Sequence, residues 1–307
     1  MVRGNMSLHS VNEDLACVGM LERVHRPSPE EFHARYVVPR LPVIVTGVMD
    51  GWPAMQRWTA DHLDQVLGER RIKVQELDAD NVTRYEVARY EEVRFGDFIA
   101  AIRETPPTRR YYLVIGNIHV VDNFPRRFPK AVFPELFPDI EIPAMVDAER
   151  LLEVNLWVGY SGVVSNLHFD PIDNCLCMIQ GRKHVRLYSP DQWGHLHLPS
   201  PFGLENPLHS PIDALRPDLA RFPDFQHARY TEGTLERGEL LYMPAGYWHH
   251  VRSEGLNIAV NLWWKDRRWT REQLRMPMRR ATVWFLQDKA RSLARRLWPR
   301  PRTTAAR

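Results

Sequence analysis

From residue 152 to residue 264 the chain is written in short β-rich pieces, and this stretch constrains the fold more than any other. Residues 153–159, 174–179, 184–188, 239–243 and 257–264 are each brief and rich in branched and aromatic side chains, with Gly181, Gly238 and Pro244-Ala245-Gly246 between them. Many short strands divided by turns pack as two facing sheets, so the expected fold is mainly β, a jelly roll. The front third differs. Ser28 before Pro29, Glu30 and Glu31 reads as a helix start, residues 43–47 as a strand ended by glycine, and Thr59 as the cap of a helix through Leu63, Val66 and Leu67. Residues 72–77 and 111–115 read as strands around a helix over 93–102, which makes an α/β extension ahead of the β domain. Residues 190–230 hold seven prolines and little periodicity, the mark of a long excursion laid over the mouth of a domain. No repeat of solenoid or propeller length is present.

With 307 residues and 44% hydrophobic content the chain can bury one large core. The expected division is a tail over 1–24, a catalytic domain over 25–266 that includes the α/β part, and a helical extension over 267–307. Leu15 to Leu21 is too short and wrongly flanked for a secretory signal, and no apolar run reaches membrane-spanning length. Cys17, Cys175 and Cys177 cannot all pair, and a reducing, cytoplasmic setting fits them. The extension from Arg267 carries 13 Lys and Arg against Glu272 and Asp288, so a net charge of +3 conceals a basic tail on an acidic body. Val283, Leu286, Ala290, Leu293, Ala294 and Leu297 fall at helical spacing in it. That stripe suits docking or a homodimer through C-terminal helices, with nucleic acid as the other partner of so basic a face.

His168-Phe169-Asp170 carries the chemistry. Two residues apart on a strand, an imidazole and a carboxylate share one face, and the segment that holds His249 and His250 can bring a second imidazole. Two histidines and one carboxylate on one face of an octahedral ion leave three adjacent positions open, which is the facial triad of non-haem iron oxygenases. The pair by itself is common in ordinary hydrogen-bonded cores. Its company matters: Asn174 follows on the next strand and Lys183 on the one after, where a buried ammonium is costly without an anion.

At these residues the chain resembles the JmjC and cupin-like 2-oxoglutarate oxygenases, most of all the group of factor-inhibiting-HIF asparaginyl hydroxylase and the tRNA wybutosine hydroxylase. The resemblance runs from near Arg26 to Trp264. Its carriers are Ser165-Asn166-Leu167-His168-Phe169-Asp170-Pro171, Asn174 through Lys183, Gly238 through Pro244, Trp248-His249-His250-Val251 and Asn257 through Trp264. It implies a double-stranded β-helix with His168, Asp170 and His249 on Fe(II), and Lys183 on the distal carboxylate of 2-oxoglutarate. Tyr112 is implied to assist Lys183, Ser165 to supply the hydroxyl for which relatives use threonine, and Asn174 and Asn261 to line the co-substrate pocket. His249 rather than His250 is implied as the ligand, because it directly follows the tryptophan. As satisfied core amides, Asn174 and Asn261 would equally be ordinary. Trp248, Trp263 and Trp264 are read as packing, Cys175 and Cys177 as small hydrophobes on the opposite face, and the other histidines, among them His195, His197 and His227, as surface or excursion groups.

The implied reaction consumes O2 and 2-oxoglutarate, releases succinate and CO2, and hydroxylates a C–H bond. A side chain of a protein or peptide is the expected target, hydroxylated rather than demethylated, since the chain has no room for the reader domains usual in chromatin enzymes. A modified tRNA base is the second reading and a catalytically silent ligand-binding cupin the third.

Overall fold

Two strands of 16 and 17 residues organise the molecule. The computed structural model describes residues 17–83, 88–120, 131–198, 206, 208–266, 275 and 277–297. The front part contains β1 (Cys17–Met20), β2 (Arg23–His25), α1 (Pro29–Phe32), β3 (Val43–Thr46), α2 (Pro53–Arg57), α3 (Ala60–Leu67), β4 (Arg71–Glu76), β5 (Val82–Thr83), β6 (Arg89–Arg94), α4 (Phe95–Arg103) and β7 (Tyr111–Val120). There follow β8 (Leu151–Gly159), β9 (Val164–Phe169), β10 (Asp173–Tyr188), β11 (Tyr230–Leu235), β12 (Leu240–Met243), β13 (Trp248–Trp264) and α5 (Met278–Leu297).

The sequence predicts separate strands at 174–179 and 184–188, whereas both lie in β10, and the strand at 257–264 reaches back to Trp248 as β13. Gly181 explains the first difference. Its φ of +76° and the register shifts on either side bend the strand without ending it, and a Cβ there would lie 2.5 Å from the Leu256 carbonyl oxygen. Because β10 and β13 bend together, each serves two sheets. The first half of β10 lies between β12 and the end of β13, and the second half between β11 and the start of β13. From the end of β13 the larger sheet runs on through β8, β7, β4 and β6, and from its start the smaller one runs to β9 and β5. Among the described residues thirteen strands are linked in this way, and the result is the expected jelly roll.

Burial on both faces explains why β8 and β10 lack strict alternation in sequence. One face of the larger sheet, with Val154, Leu156, Cys175, Cys177 and Val260, packs on Phe32, Trp52, Leu63, Phe95 and Phe98 from the α/β extension. The other face turns inward, where Leu176, Met178 and Ala259 meet Val185, Leu187 and Val251 of the smaller sheet. Ser28 and Thr59 cap α1 and α3 as expected, accepting from the Glu31 and His62 amides at 3.1 Å each. The helix predicted over 93–102 begins only at Phe95, because Val93 and Arg94 pair with Ile72 and Arg71 of β4.

The excursion after β10 is not a loose cover. Leu196, Leu208, Ile212, Ala214, Phe222, Phe225 and Ala228 bury themselves against Leu167, Phe169, Tyr188 and Trp248, the side chains that alternate with the inward ones on β9, β10 and β13. Met278 and Ala281 of α5 complete this second core. Of the stripe predicted for α5, Leu286 is 65% exposed and Ala290 is exposed, while the side chains of Leu293, Ala294 and Leu297 lie outside the described ones. Among the described residues no helix is long and apolar enough to cross a membrane.

Candidate metal centre

β9 and β13 lie side by side with His168 directly opposite His249, so antiparallel pairing alone puts both imidazoles on one face. Asp170 stands one residue beyond the end of β9, outside the strand in which the sequence placed it. It is held there by the Gly246 amide, which donates to its carbonyl at 2.8 Å, and by Asn174, whose Nδ2 donates to Oδ2 at 2.9 Å. One nitrogen from each of the two histidines and one carboxylate oxygen of Asp170 all lie within 4.8 Å of one another.

Both rings are presented in the form a metal needs. His168 Nδ1 donates to the Asn166 carbonyl at 2.6 Å and His249 Nδ1 to the Tyr247 carbonyl at 3.1 Å, which leaves each Nε2 as the lone-pair nitrogen. Burial pushes the pKa of each down to about 4, helped for His168 by its neighbour His249 and for His249 by His250. Burial also raises the Asp170 carboxyl, against the pull of His168 and Asn174. His250 is buried too and has His168 among its electrostatic neighbours with Arg186, Asp213 and Arg252, but it pairs with Arg186 of β10, on the face opposite to Leu187 and His249. That leaves His249 as the inward member of the pair.

Lys183 is 3% exposed and donates from Nζ to Ser253 Oγ at 2.9 Å. Among the described residues no carboxylate lies within ion-pair distance of it. Burial alone lowers its pKa to about 8. Lys183 pairs with Ser253 as His249 pairs with Leu187, so it sits four residues, roughly 13 Å, along the strand from the histidine level. Tyr112 is buried beside β8, where its hydroxyl meets Ser165 and its own pKa is driven up by burial. Gly159 makes room for it, since a Cβ at that position would approach the Tyr112 ring to 2.7 Å. Asn174 and Asn261 each keep a buried side-chain oxygen with no hydrogen-bond partner, which removes the reading of both as satisfied core amides. A buried ammonium with no carboxylate partner among the described residues fits a small dicarboxylate; the orphaned amide oxygens only accept, so they call for a donor that a dicarboxylate does not carry.

Four contributors were not singled out in the sequence. Ser253 was hidden because only the β10–β13 register reveals it opposite Lys183, and Gly159 because its constraint is a contact with a distant ring. His209, grouped with the surface and excursion histidines, stacks on His168 with ring centroids 5.3 Å apart. Arg40, in the α/β extension, reaches Asp173 at 2.9 Å and the Ala245 carbonyl at 2.9 Å, and Asp173 also accepts from the Ala245 amide at 3.0 Å. That ion pair ties the loop of Asp170 to the loop ahead of His249.

A jelly roll with two imidazoles and a carboxylate converging between its sheets defines a cupin-like domain, and the chain belongs to the cupin-like domain family, whose model matches residues 29–268. Among its relatives, lysine-specific demethylase 8 of Xenopus tropicalis is 33% identical over 80% of this chain and 52% of the relative. The human bifunctional peptidase and (3S)-lysyl hydroxylase JMJD7 is 27% identical over 78% of this chain and 81% of its own length. Human tRNA wybutosine-synthesizing protein 5 is 28% identical, with 79% and 77% covered. The chain spans about half the length of the first curated relatives it matches.

Proposed function

We propose that this protein is an iron(II)- and 2-oxoglutarate-dependent oxygenase that hydroxylates a side chain of a protein or peptide, with release of succinate and CO2. The observation that carries the reading is the convergence of His168, Asp170 and His249 within one strand-length of a buried lysine that has no carboxylate partner among the described residues. O2 is the oxidant; iron and 2-oxoglutarate, when bound, would supply its activation, the 2-oxoglutarate giving up two electrons as it becomes succinate and CO2. The chain's own residues do the rest. His168 and His249 offer neutral Nε2 atoms at physiological pH, Asn174 fixes the Asp170 carboxylate, and Lys183 pairs with the distal carboxylate of the co-substrate beside the hydroxyls of Tyr112 and Ser165. In this reading Asn174 and Asn261 line the same pocket, as the family resemblance implies.

A protein side chain is favoured as substrate because relatives carry the names lysyl hydroxylase and lysine-specific demethylase. The second reading is a modified tRNA base, favoured by the wybutosine-synthesizing relative and by the basic sequence after Arg267. Residues 1–24, 25–266 and 267–307 are read as tail, catalytic domain and basic extension, with the exposed Leu286 and Ala290 of α5 available to a second copy of the chain. A reducing, cytoplasmic compartment suits the free Cys17, Cys175 and Cys177. Succinate formation from 2-oxoglutarate with added Fe(II) tests the enzyme reading against the ligand-binding cupin. Asp170→Ala should abolish it, and an undiminished succinate yield in that variant sinks the assignment. Bound tRNA released steeply by salt, with hydroxylated base on digestion, selects the second substrate.

A further inference from the structure

Three imidazoles stand in a row at the site, and only two belong to the ligand set. The His168 ring lies 4.1 Å from that of His249, and on another contact it meets His209 with centroids 5.3 Å apart and planes 14° from parallel. Among the described residues the cluster that could hold a metal comprises His168, Asp170 and His249, without His209.

His209 is delivered by a segment joined to β9. The Phe169 amide donates to the Leu208 carbonyl at 3.0 Å and the Ser210 amide to the Leu167 carbonyl at 2.9 Å, which sets His209 opposite His168 in an antiparallel bridge. Residues directly opposed in such a bridge share a face, so His209 takes the face that carries the metal-binding imidazoles. Asn166 strengthens the join, because its Nδ2 donates to the Ser210 carbonyl at 3.2 Å while its own carbonyl holds His168 Nδ1. Ile212, fully buried, and Leu208, nearly so, anchor the segment in the second core.

We propose that His209 is a positioning residue for His168. Its ring backs the His168 imidazole, and with the Asn166 carbonyl it restricts rotation about the ring's attachment, so that Nε2 stays turned toward Asp170 and His249. The excursion thereby contributes to the metal site although it supplies no ligand. This rests on the oxygenase reading, in which His168 binds the metal. Groups that orient a ligating histidine typically govern metal affinity by about ten- to a hundredfold.

The test uses the full chain and Mn(II) or Co(II) in the absence of turnover. Mn(II) dissociation constants are measured for the unaltered protein, His209→Ala, His209→Phe, His209→Leu and Asp170→Ala. Thermal melts are taken without metal, and ligand-field absorption with Co(II). The expected result is about tenfold weaker Mn(II) binding and a displaced Co(II) band in His209→Ala, with recovery in the flat-ringed His209→Phe and not in the equally bulky His209→Leu. Unaltered affinity in His209→Ala overturns the proposal. So does His209→Phe no better than His209→Leu, a comparison that holds even where the alanine variant fails to fold. If the unaltered protein itself shows no Mn(II) binding that Asp170→Ala removes, the oxygenase reading fails along with this one.

Discussion

Lys183 should make the ligand-free protein less stable, and Lys183→Met should stabilise it while destroying co-substrate binding. The ammonium is fully buried with Ser253 as its hydrogen-bond partner, and burial takes its pKa from 10.5 to about 8. Because the folded value lies below the unfolded one, the unfolded chain binds more protons between pH 8 and 10.5. Stability attributable to this group therefore rises with pH across that window, and the full penalty is present below pH 8. A shift of that size corresponds to about 3 kcal/mol at pH 7. Methionine keeps the aliphatic volume and removes the charge, but leaves Ser253 Oγ without its donor, an offset of about 1 kcal/mol. The net gain of about 2 kcal/mol should raise the melting temperature by roughly 4 °C in a chain of this size. Denaturant titrations of both proteins from pH 7 to 10.5 provide the assay, and their difference should shrink toward the alkaline end. Calorimetry at pH 9 should show proton uptake on 2-oxoglutarate binding by the unaltered protein, because the neutral amine must be recharged to meet a carboxylate. A Lys183→Met protein that is less stable at pH 7, or a difference that does not vary with pH, refutes the reasoning.

Three further outcomes follow from the same geometry. The metal-free protein should lose stability as pH falls from about 6.5 to 4, since His168, His249 and His250 are held near 4 when folded and must charge on unfolding; melts that stay level over this interval contradict the burial argument. Arg40→Met should cost about 3 kcal/mol by stranding the Asp173 carboxylate, whose side chain is wholly buried, and denaturant midpoints showing less than about 1 kcal/mol would mean that its amide and Tyr242 donors suffice. Gly159→Ala should displace the Tyr112 ring and raise the KM for 2-oxoglutarate severalfold with metal affinity unchanged, so a normal KM would show that Tyr112 does not touch the co-substrate.

What the sequence made legible was what local pattern controls. The turn glycines, the capped starts of α1 and α3 and the His-x-Asp pair are contiguous signals, and the chain's likeness to a family supplied the distant members. What escaped it depends on pairing register and on bends. Whether residues 174–179 and 184–188 form two strands or one depends on the behaviour of Gly181, and a glycine with positive φ serves equally at a turn or at a bend. Ser253, Arg40 and His209 sit 70, 133 and 41 positions from the residues they serve, Lys183, Asp173 and His168. No window along the chain contains both partners of any of these contacts. The excursion was misread for a related reason. Its prolines break regular structure, yet its buried side chains are spaced to meet the outer face of β9, β10 and β13, and that face exists only after the strands have paired.

The placement of the site on the shared strands has an energetic consequence. At neutral pH several groups assigned to chemistry are held in states that burial opposes, a carboxyl driven upward, an ammonium driven downward and two amide oxygens without donors, whereas the two imidazoles are held neutral. None of these stabilises the empty fold, so the sheets around them must be over-determined, and β10 and β13 are the strands best able to bear the strain because each is paired along its length in both sheets. A divalent ion and a dicarboxylate would relieve the two charged penalties together, one held by the Asp170 carboxylate beside the neutral imidazoles and the other neutralising Lys183. Binding of either should therefore tighten binding of the other, since each charge installed in the pocket lowers the cost of burying the next. Mn(II) affinity should rise severalfold at saturating 2-oxoglutarate in the unaltered protein, and that increase should vanish in Lys183→Met although the metal ligands are intact.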